Sequence, residues 1–259
     1  MSQTYGALKR VLAEEVPVAL SYSGTTLAVM MASPTDLRDF ALGFALSEGV
    51  ILAQDELEEL EIVAHGAGYE ARGWIAAGRE AELRARQRAM VGPVGCGLCG
   101  IDTIEAAVRP LPVSTSSVTF GPAKIANALE DLRAFQPLHD ATRAVHAAGF
   151  MVPDQGITHV REDVGRHNAL DKLIGALARE DMPALGGALL MTSRISVDIV
   201  QKTALAGAGM IIAASAPTKL AVEQAQHANI TLIANARNGS FDVVTHPERV
   251  QGELNNVAS

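Results

Sequence analysis

The stretch GALLMTSRISVDIVQKTALAGAGMIIAAS, Gly187 to Ser215, decides the fold class. GALLMTS reads as a strand and MIIAAS as a second. Between them Ile195, Ile199, Thr203 and Ala206 fall on one face of a helix. Reading outward, ITHV before the stretch is strand-like, and NALDKLIGALARE places Leu170, Leu173, Ile174 and Leu177 on one helical stripe. After it, Thr218 is placed to cap a helix KLAVEQAQHA, and ITLIANA reads as a further strand. This β-α-β-α-β order predicts an α/β layer whose strands are at least partly parallel.

The first hundred residues follow another pattern. VPVALSYSGTTLAVMMA, Val16 to Ala32, reads as a hairpin about a Ser-Gly turn. SPTDLRDFALGFALSEGVI then offers Ser33, Pro34 and Asp36 as helix-start residues, sets Leu37, Phe40, Ala41 and Phe44 at helical spacing, and stops at Gly49. Strand-like pieces surround Ile62 and Trp74. RPLPVSTSSVTFGP, Arg109 to Pro122, concentrates Pro, Ser and Thr as a domain boundary does. The expected division is an N-terminal α+β domain, residues 1–112, and a C-terminal α/β domain, residues 113–259, so that the whole is α/β in a broad sense and α+β overall.

Composition bounds the function. The 259 residues are 48% hydrophobic with few aromatics, as in a folded α/β protein, and carry a formal charge of −8. That charge argues against coating nucleic acid, although a local basic pocket for a phosphorylated ligand remains compatible with it. The opening MSQTYGALKR has no apolar core of a secretory signal, and the longest apolar run, Thr203 to Pro217, is too short to span a bilayer. The expectation is a cytoplasmic protein with no membrane association, in which thiols stay reduced.

Both cysteines lie in VGPVGCGLCG, Val91 to Gly100. Gly95, Gly97 and Gly100 spell a dinucleotide fingerprint, but an Arg-rich stretch and Pro93 precede it where a strand is needed, and no acid stands near position 120. Zinc needs about four ligands. Cys96 and Cys99 supply two, leaving His65, His139, His146 or a second chain to complete the set, and the H-x-E signature of zinc deaminases is missing. A third reading is a reactive thiol, since IDTIEAAVR can form a helix whose N-terminus favours the thiolate. A fourth is that both are small buried apolar groups.

A second polar constellation is THVREDVGRHNALDKLIG. Here Asp163, Arg166, His167 and Asn168 crowd a helix start behind Gly165, a setting that suits anions. Arg194, Ser196 and Lys202 gather after the next strand. NARNGS, which runs Asn235, Ala236, Arg237, Asn238, Gly239, Ser240, follows a third. Strand ends of this kind are the usual ligand crevice of open α/β sheets, though each alone also fits an ordinary solvated loop. REAELRARQR, with Arg79, Arg84, Arg86 and Arg88, reads most simply as an exposed helix face.

Taken in series, GCGLCG, VREDVGRHNALDKLIG, SRISVDIVQKT, SAPTKLAVEQA and ITLIANARNGSFDVVTHPERV, together with DLRDFALGFALSEGVI, resemble the FdhD family over nearly the whole chain. The resemblance implies a sulfurtransferase that takes sulfur from a cysteine desulfurase as a cysteine persulfide. It passes that sulfur to the molybdenum cofactor, a bis(molybdopterin guanine dinucleotide), for formate dehydrogenase or a related molybdenum enzyme. By motif match Cys96 carries the persulfide and Cys99 assists. Cofactor contacts are expected from Asn235 to Ser240, with His167, Asp163 and Arg194 lining the cleft, and no permanently bound metal. The family also implies a homodimer and a C-terminal domain similar to the cytidine deaminase fold. Its usual Thr-Gly-Gly stands here as Thr142-Arg143-Ala144, its Ser-Gly-Arg as Thr192-Ser193-Arg194, and an aromatic before the C-terminal Arg turn as Asn235. The rival readings are a chaperone that only holds the cofactor, as a zinc-clipped dimer or otherwise, and a dithiol oxidoreductase.

Overall fold

A computed structural model describes residues 11–89 and 110–252 of the chain. Two sheets divide these residues between them. The first begins with the hairpin β1 (Val16–Tyr22) and β2 (Thr25–Ala32), closed by Ser23 and Gly24 at positive φ. α1 (Leu37–Ser47) then crosses the sheet, and β3 (Leu57–His65) and β4 (Gly68–Ile75) complete it in the order β2-β1-β4-β3. Phe40, Ala41 and Phe44 of α1 bury themselves with Val18, Leu20, Tyr22 and Ala71 of the strands, which is the face the helical spacing anticipates.

α2 (Ala77–Ala89) follows. Its first turn departs from the exposed face expected of it: Arg79 is buried, donating from Nη2 to Gly49 O at 2.9 Å and from Nε to Val50 O at 3.2 Å. The guanidinium thereby satisfies carbonyls just beyond the end of α1, a use that charge counting along α2 does not reveal. The side chains of Arg84, Arg86 and Arg88 lie outside the described residues.

The second sheet has six strands in the order β10-β9-β8-β7-β5-β6. Its helices and strands run α3 (Pro122–Arg133), α4 (Pro137–Thr142), β5 (His146–Val152), β6 (Gly156–Asp163), α5 (Arg166–Arg179), β7 (Ala188–Met191), α6 (Val197–Leu205), β8 (Met210–Ala213), α7 (Lys219–His227), β9 (Thr231–Arg237) and β10 (Ser240–Val243). β7, β8 and β9 are parallel, and β5 is antiparallel to both β7 and β6. The carboxyl ends of β6, β7, β8 and β9 therefore share one edge of the sheet, where β5 begins. One face packs on α5, α6 and α7 through Leu170, Leu173, Ile199, Val200 and Ala221, and the other on α3 through Ile125, Ala128 and Leu132. The alternation read from Gly187 to Ser215 is thus a parallel β7-α6-β8 unit, and Thr218 caps α7 by accepting from Ala221 N.

The Pro/Ser/Thr segment packs against this second sheet's unit. Ser114 and Ser116 are buried, Ser114 N donates to Ala228 O at 2.8 Å, and Arg249 Nη2 donates to Ser116 O at 3.1 Å.

The two sheets meet through a helix pair. α1 and α5 cross so closely that a Cβ on Gly43 would lie 1.7 Å from Asp171 O, and one on Gly175 would lie 1.9 Å from Asp39 O. Only hydrogen fits at either position. Buried ion clusters flank the crossing. Asp39 accepts from Arg161 Nε at 2.8 Å and also from Arg179. Lys202 Nζ donates to Glu48 Oε1 at 2.6 Å and Ser47 Oγ at 2.9 Å, and pairs with Asp171 at 2.9 Å. Burial works against the charge on Lys202, but Asp171 and Glu48 outweigh it and raise its pKa.

Candidate functional site

At the carboxyl edge of the six-stranded sheet, the turn after β6 brings Asp163 and His167 together, and the two have different roles. Asp163 is fully buried. One carboxylate oxygen, Oδ2, meets Lys172 Nζ at 2.7 Å and accepts from Ser33 N at 3.0 Å. Oδ1 accepts from Gly165 N at 2.8 Å and from Asn168 Nδ2 at 2.9 Å. With Lys172 also donating to Ser33 O at 2.9 Å and Val164 N to Ser33 Oγ at 3.2 Å, the group ties the start of α1 to the turn before α5. Asp163 shapes the rim from beneath and has no surface left for a ligand. Ser33, read from the sequence as a helix-start residue, serves this tie, while Asp36 at φ 53° precedes α1 without a side-chain cap.

His167 stands in the first turn of α5 with 30% of its side chain exposed. Its Nε2 lies 3.4 Å from Ser196 Oγ and 3.7 Å from Asp198 Oδ2. Burial, reinforced by the neighbouring Arg166 cation, lowers its pKa to about 4, so the imidazole is neutral near pH 7. His146, the first residue of β5, lies opposite Asp163 in the β5–β6 register. Burial, then Arg166, then His139 lower its pKa as well. Asp198 and His146 join this cluster only in three dimensions. Asp198 carried no binding signal in the sequence, and His146 stood there only as one of several candidate metal ligands and as the histidine after Thr142-Arg143-Ala144-Val145 in the FdhD resemblance.

Arg194 is exposed in the loop after β7. That loop zips onto the one after β8, with Ile195 N donating to Ala216 O at 3.4 Å and Thr218 N to Ile195 O at 3.0 Å. The starts of α6 and α7 are thus held side by side, with Ser196 and Thr218 at their N-caps.

Asn235, Ala236 and Arg237 close β9, Asn238 and Gly239 form the turn at φ 53° and 76°, and Ser240 opens β10. Positive φ at both central positions is what an Asn-Gly hairpin turn requires. Asn235, itself at φ 50°, is steadied by a 2.7 Å bond from Nδ2 to Asp242 Oδ2. Arg237, Asn238 and Gly239 are exposed and Ala236 is buried. The structure does not gather this turn with His167: four strand spacings separate β9 from β6, about 19 Å at the usual 4.8 Å each. Along this polar edge the Arg237 turn lies toward one end and the His146–His167 cluster toward the other.

Arg143, one of the departures from the FdhD pattern, ends α4 at φ 56°. This is the left-handed conformation a glycine adopts freely, which accounts physically for glycine as the usual residue there. Cys96, Cys99 and the expected helix after Gly100 lie outside the described residues. Among the described residues there is no cluster of three or more His, Cys, Asp or Glu side chains able to hold a metal ion, and no helix is long and apolar enough to cross a membrane.

A mixed α+β chain with polar loops ranged along the carboxyl edge of a largely parallel sheet has the architecture of α/β proteins that receive ligands at such edges. The chain belongs to the FdhD/NarQ family, whose model matches residues 13–251. It is 49% identical over 243 residues to the sulfur carrier protein FdhD of Agrobacterium fabrum, covering 93% of this chain and 90% of that one. The sulfur carrier protein FdhD of Brucella abortus is 51% identical over 242 residues, with the same two coverages. A crystal structure assigned as a formate dehydrogenase accessory protein from Desulfotalea psychrophila has the same fold, with a TM-score of 0.73 at 24% identity over 93% of this chain and 90% of that one.

Proposed function

We propose that this chain is a sulfur carrier that takes sulfur from a cysteine desulfurase and delivers it, through a persulfide on Cys96, to the molybdenum cofactor of formate dehydrogenase or a related enzyme. The observation that carries the reading is similarity at about half identity, over nine-tenths of both chains, to proteins named as sulfur carriers.

The Cys96 thiolate attacks the terminal sulfur of the donor persulfide. A new S–S bond forms on Cys96, the donor S–S bond breaks, and the donor cysteine leaves as a thiolate, so the step needs no external oxidant or reductant. Cys99, three positions on in the sequence, would assist as the second thiol. The substrate that receives it, a bis(molybdopterin guanine dinucleotide), is long and carries phosphates at separated points. Polar groups spread along a sheet edge across four strand spacings, about 19 Å, suit such a molecule better than a compact one. Arg237 and the Asn238-Gly239 turn would engage one end, Arg194 the middle, and His167 the far end. A homodimer working in the cytoplasm completes the proposal.

Cells lacking this chain, and supplied with it on a plasmid, test the role. Cys96→Ala should leave formate dehydrogenase polypeptide present but inactive. Full formate dehydrogenase activity with Cys96→Ala would refute the persulfide route.

A further inference from the structure

Most basic side chains drawn into the body of this protein meet an acceptor. Lys172 has Asp163, Lys202 has Asp171 and Glu48, Arg161 has Asp39, and Arg79 has Glu82. The buried Arg249 donates to carbonyl oxygens of Ser116 and Asn229. Arg166 is different. Its Nε is buried without a hydrogen-bond partner, and among the described residues its guanidinium reaches no carboxylate and donates to no acceptor. A buried donor left in this state is destabilising, more so when it is charged. Arg133 Nη1 and Gln136 Oε1 are also buried without a partner, but Arg133 pairs with Asp140 through Nη2, whereas the partly exposed Arg166 has no acceptor among the described residues and is open to one from outside them.

The surroundings define what that acceptor is. Arg166 opens α5, three residues beyond Asp163, whose register partner is His146. The next residue, His167, is fixed against Ser196 at 3.4 Å. Among the described residues, the groups besides Arg166 whose charge acts on His146 or His167 are His139 from α4, His146 itself acting on His167, and Asp198 and Lys202 from α6, while the buried Asp163 is held by Lys172. Asp198, the single acid among them, lies beside His167 Nε2 at 3.7 Å. Two imidazoles held neutral supply N–H donors without adding charge, and the guanidinium supplies the charge and a planar fork of donors. That set matches a tetrahedral oxyanion.

We propose that Arg166, with His146 and His167 beside it, seats an oxyanion of the phosphate or pyrophosphate class. The seat is defined by these side chains alone. Naming its natural occupant as the pyrophosphate of a nucleotide-bearing cofactor rests on the function proposed above.

The test uses the full chain and inorganic pyrophosphate, following the imidazole C–H resonances of His146 and His167 by NMR. Saturable shifts at millimolar ligand or below are expected, with both imidazole pKa values rising as the bound anion offsets Arg166. Arg166→Gln should weaken binding by about tenfold or more, while Arg166→Lys keeps part of it. Without ligand, Arg166→Gln should also raise both histidine pKa values while the urea unfolding midpoint and circular dichroism stay near those of the parent, a control that is needed because unfolding alone would raise them too. Guanosine diphosphate separates the two sources of the anion: the same loss on Arg166→Gln assigns the seat to a nucleotide's pyrophosphate, and a response to inorganic pyrophosphate alone assigns it to a free anion. Either result supports the seat. Histidine resonances unmoved by pyrophosphate, or equal affinity in Arg166→Gln, overturn it. Sulfur loading of Cys96, read by mass on the same protein, is independent of this outcome, so the two proposals fail separately.

Discussion

Replacing Asp163 by Asn separates two roles that its place in the sequence leaves undivided, a residue that lines a ligand cleft and one that holds the cleft together. The side chain keeps its shape and one acceptor oxygen but loses its charge, leaving the Lys172 ammonium, itself fully buried, without a counter-ion. Breaking a buried pair by removing one partner costs about 3–5 kcal/mol. The bonds from Ser33 N, Gly165 N and Asn168 Nδ2 converge on the same carboxylate, and an amide nitrogen cannot accept one set of them. About 4 kcal/mol is therefore a central expectation for Asp163→Asn, a large share of the 5–15 kcal/mol that stabilises a typical protein. Urea unfolding followed by circular dichroism reads it directly. The double variant Asp163→Asn with Lys172→Met should recover to within about 2 kcal/mol of the parent. It removes the orphaned cation, leaving Ser33 O without its donor and Ser33 N facing the amide nitrogen without its acceptor. A single variant as stable as the parent, or a double variant no better than the single, would refute the assignment of Asp163 as an internal tie.

Three further outcomes follow from the same structure. Gly43→Ala places a methyl group 1.7 Å from the Asp171 carbonyl and must push α1 away from α5, so a loss of about 3 kcal/mol or more is expected on chemical unfolding; a loss under about 1 kcal/mol would mean that the helices do not cross as described. His167 has a folded pKa of about 4, below the ordinary histidine value of about 6.5, so the unfolded chain binds its proton first. Its contribution is full above pH 6.5 and is lost as pH falls toward 4, by up to about 3 kcal/mol, and His167→Gln should flatten that limb of the stability curve, with the remaining slope in the same direction owed in part to His146. Arg237→Ala, on an exposed turn, should leave stability within about 0.5 kcal/mol of the parent while weakening guanosine diphosphate about tenfold by calorimetry; unchanged affinity would remove that turn from the ligand site.

Periodicity reached the parts of this fold whose partners are close in sequence. The Leu170–Leu173–Ile174–Leu177 stripe, the β1–β2 hairpin and the strands on either side of α6 could be read because local pattern and burial agree in them. β5 was not read. HAAGFMV is buried nearly throughout between β6 and β7, so it shows neither alternation nor a continuous branched run. Interactions across long separations were invisible for a different reason. Ser33 and Asp163 stand 130 positions apart, and nothing local marks either as half of a tie. Gly43 and Gly175 carry no local sign of their purpose, which exists only at the crossing. In the candidate site, residue types pointed correctly to the strand ends as places rich in polar groups. They could not show that Asp163 faces inward, that Arg166 meets no counter-charge among the described residues, or that the Arg237 turn lies across the sheet from His167.

The central claim, that this chain carries sulfur on one cysteine, is tested most directly by intact mass. The purified full chain is incubated with a cysteine desulfurase and cysteine, and its mass is read under non-reducing conditions. The account predicts the mass increment of added sulfur on the parent protein, removed by a reductant and absent from Cys96→Ala. No added sulfur on the parent, or equal loading on Cys96→Ala, would contradict it.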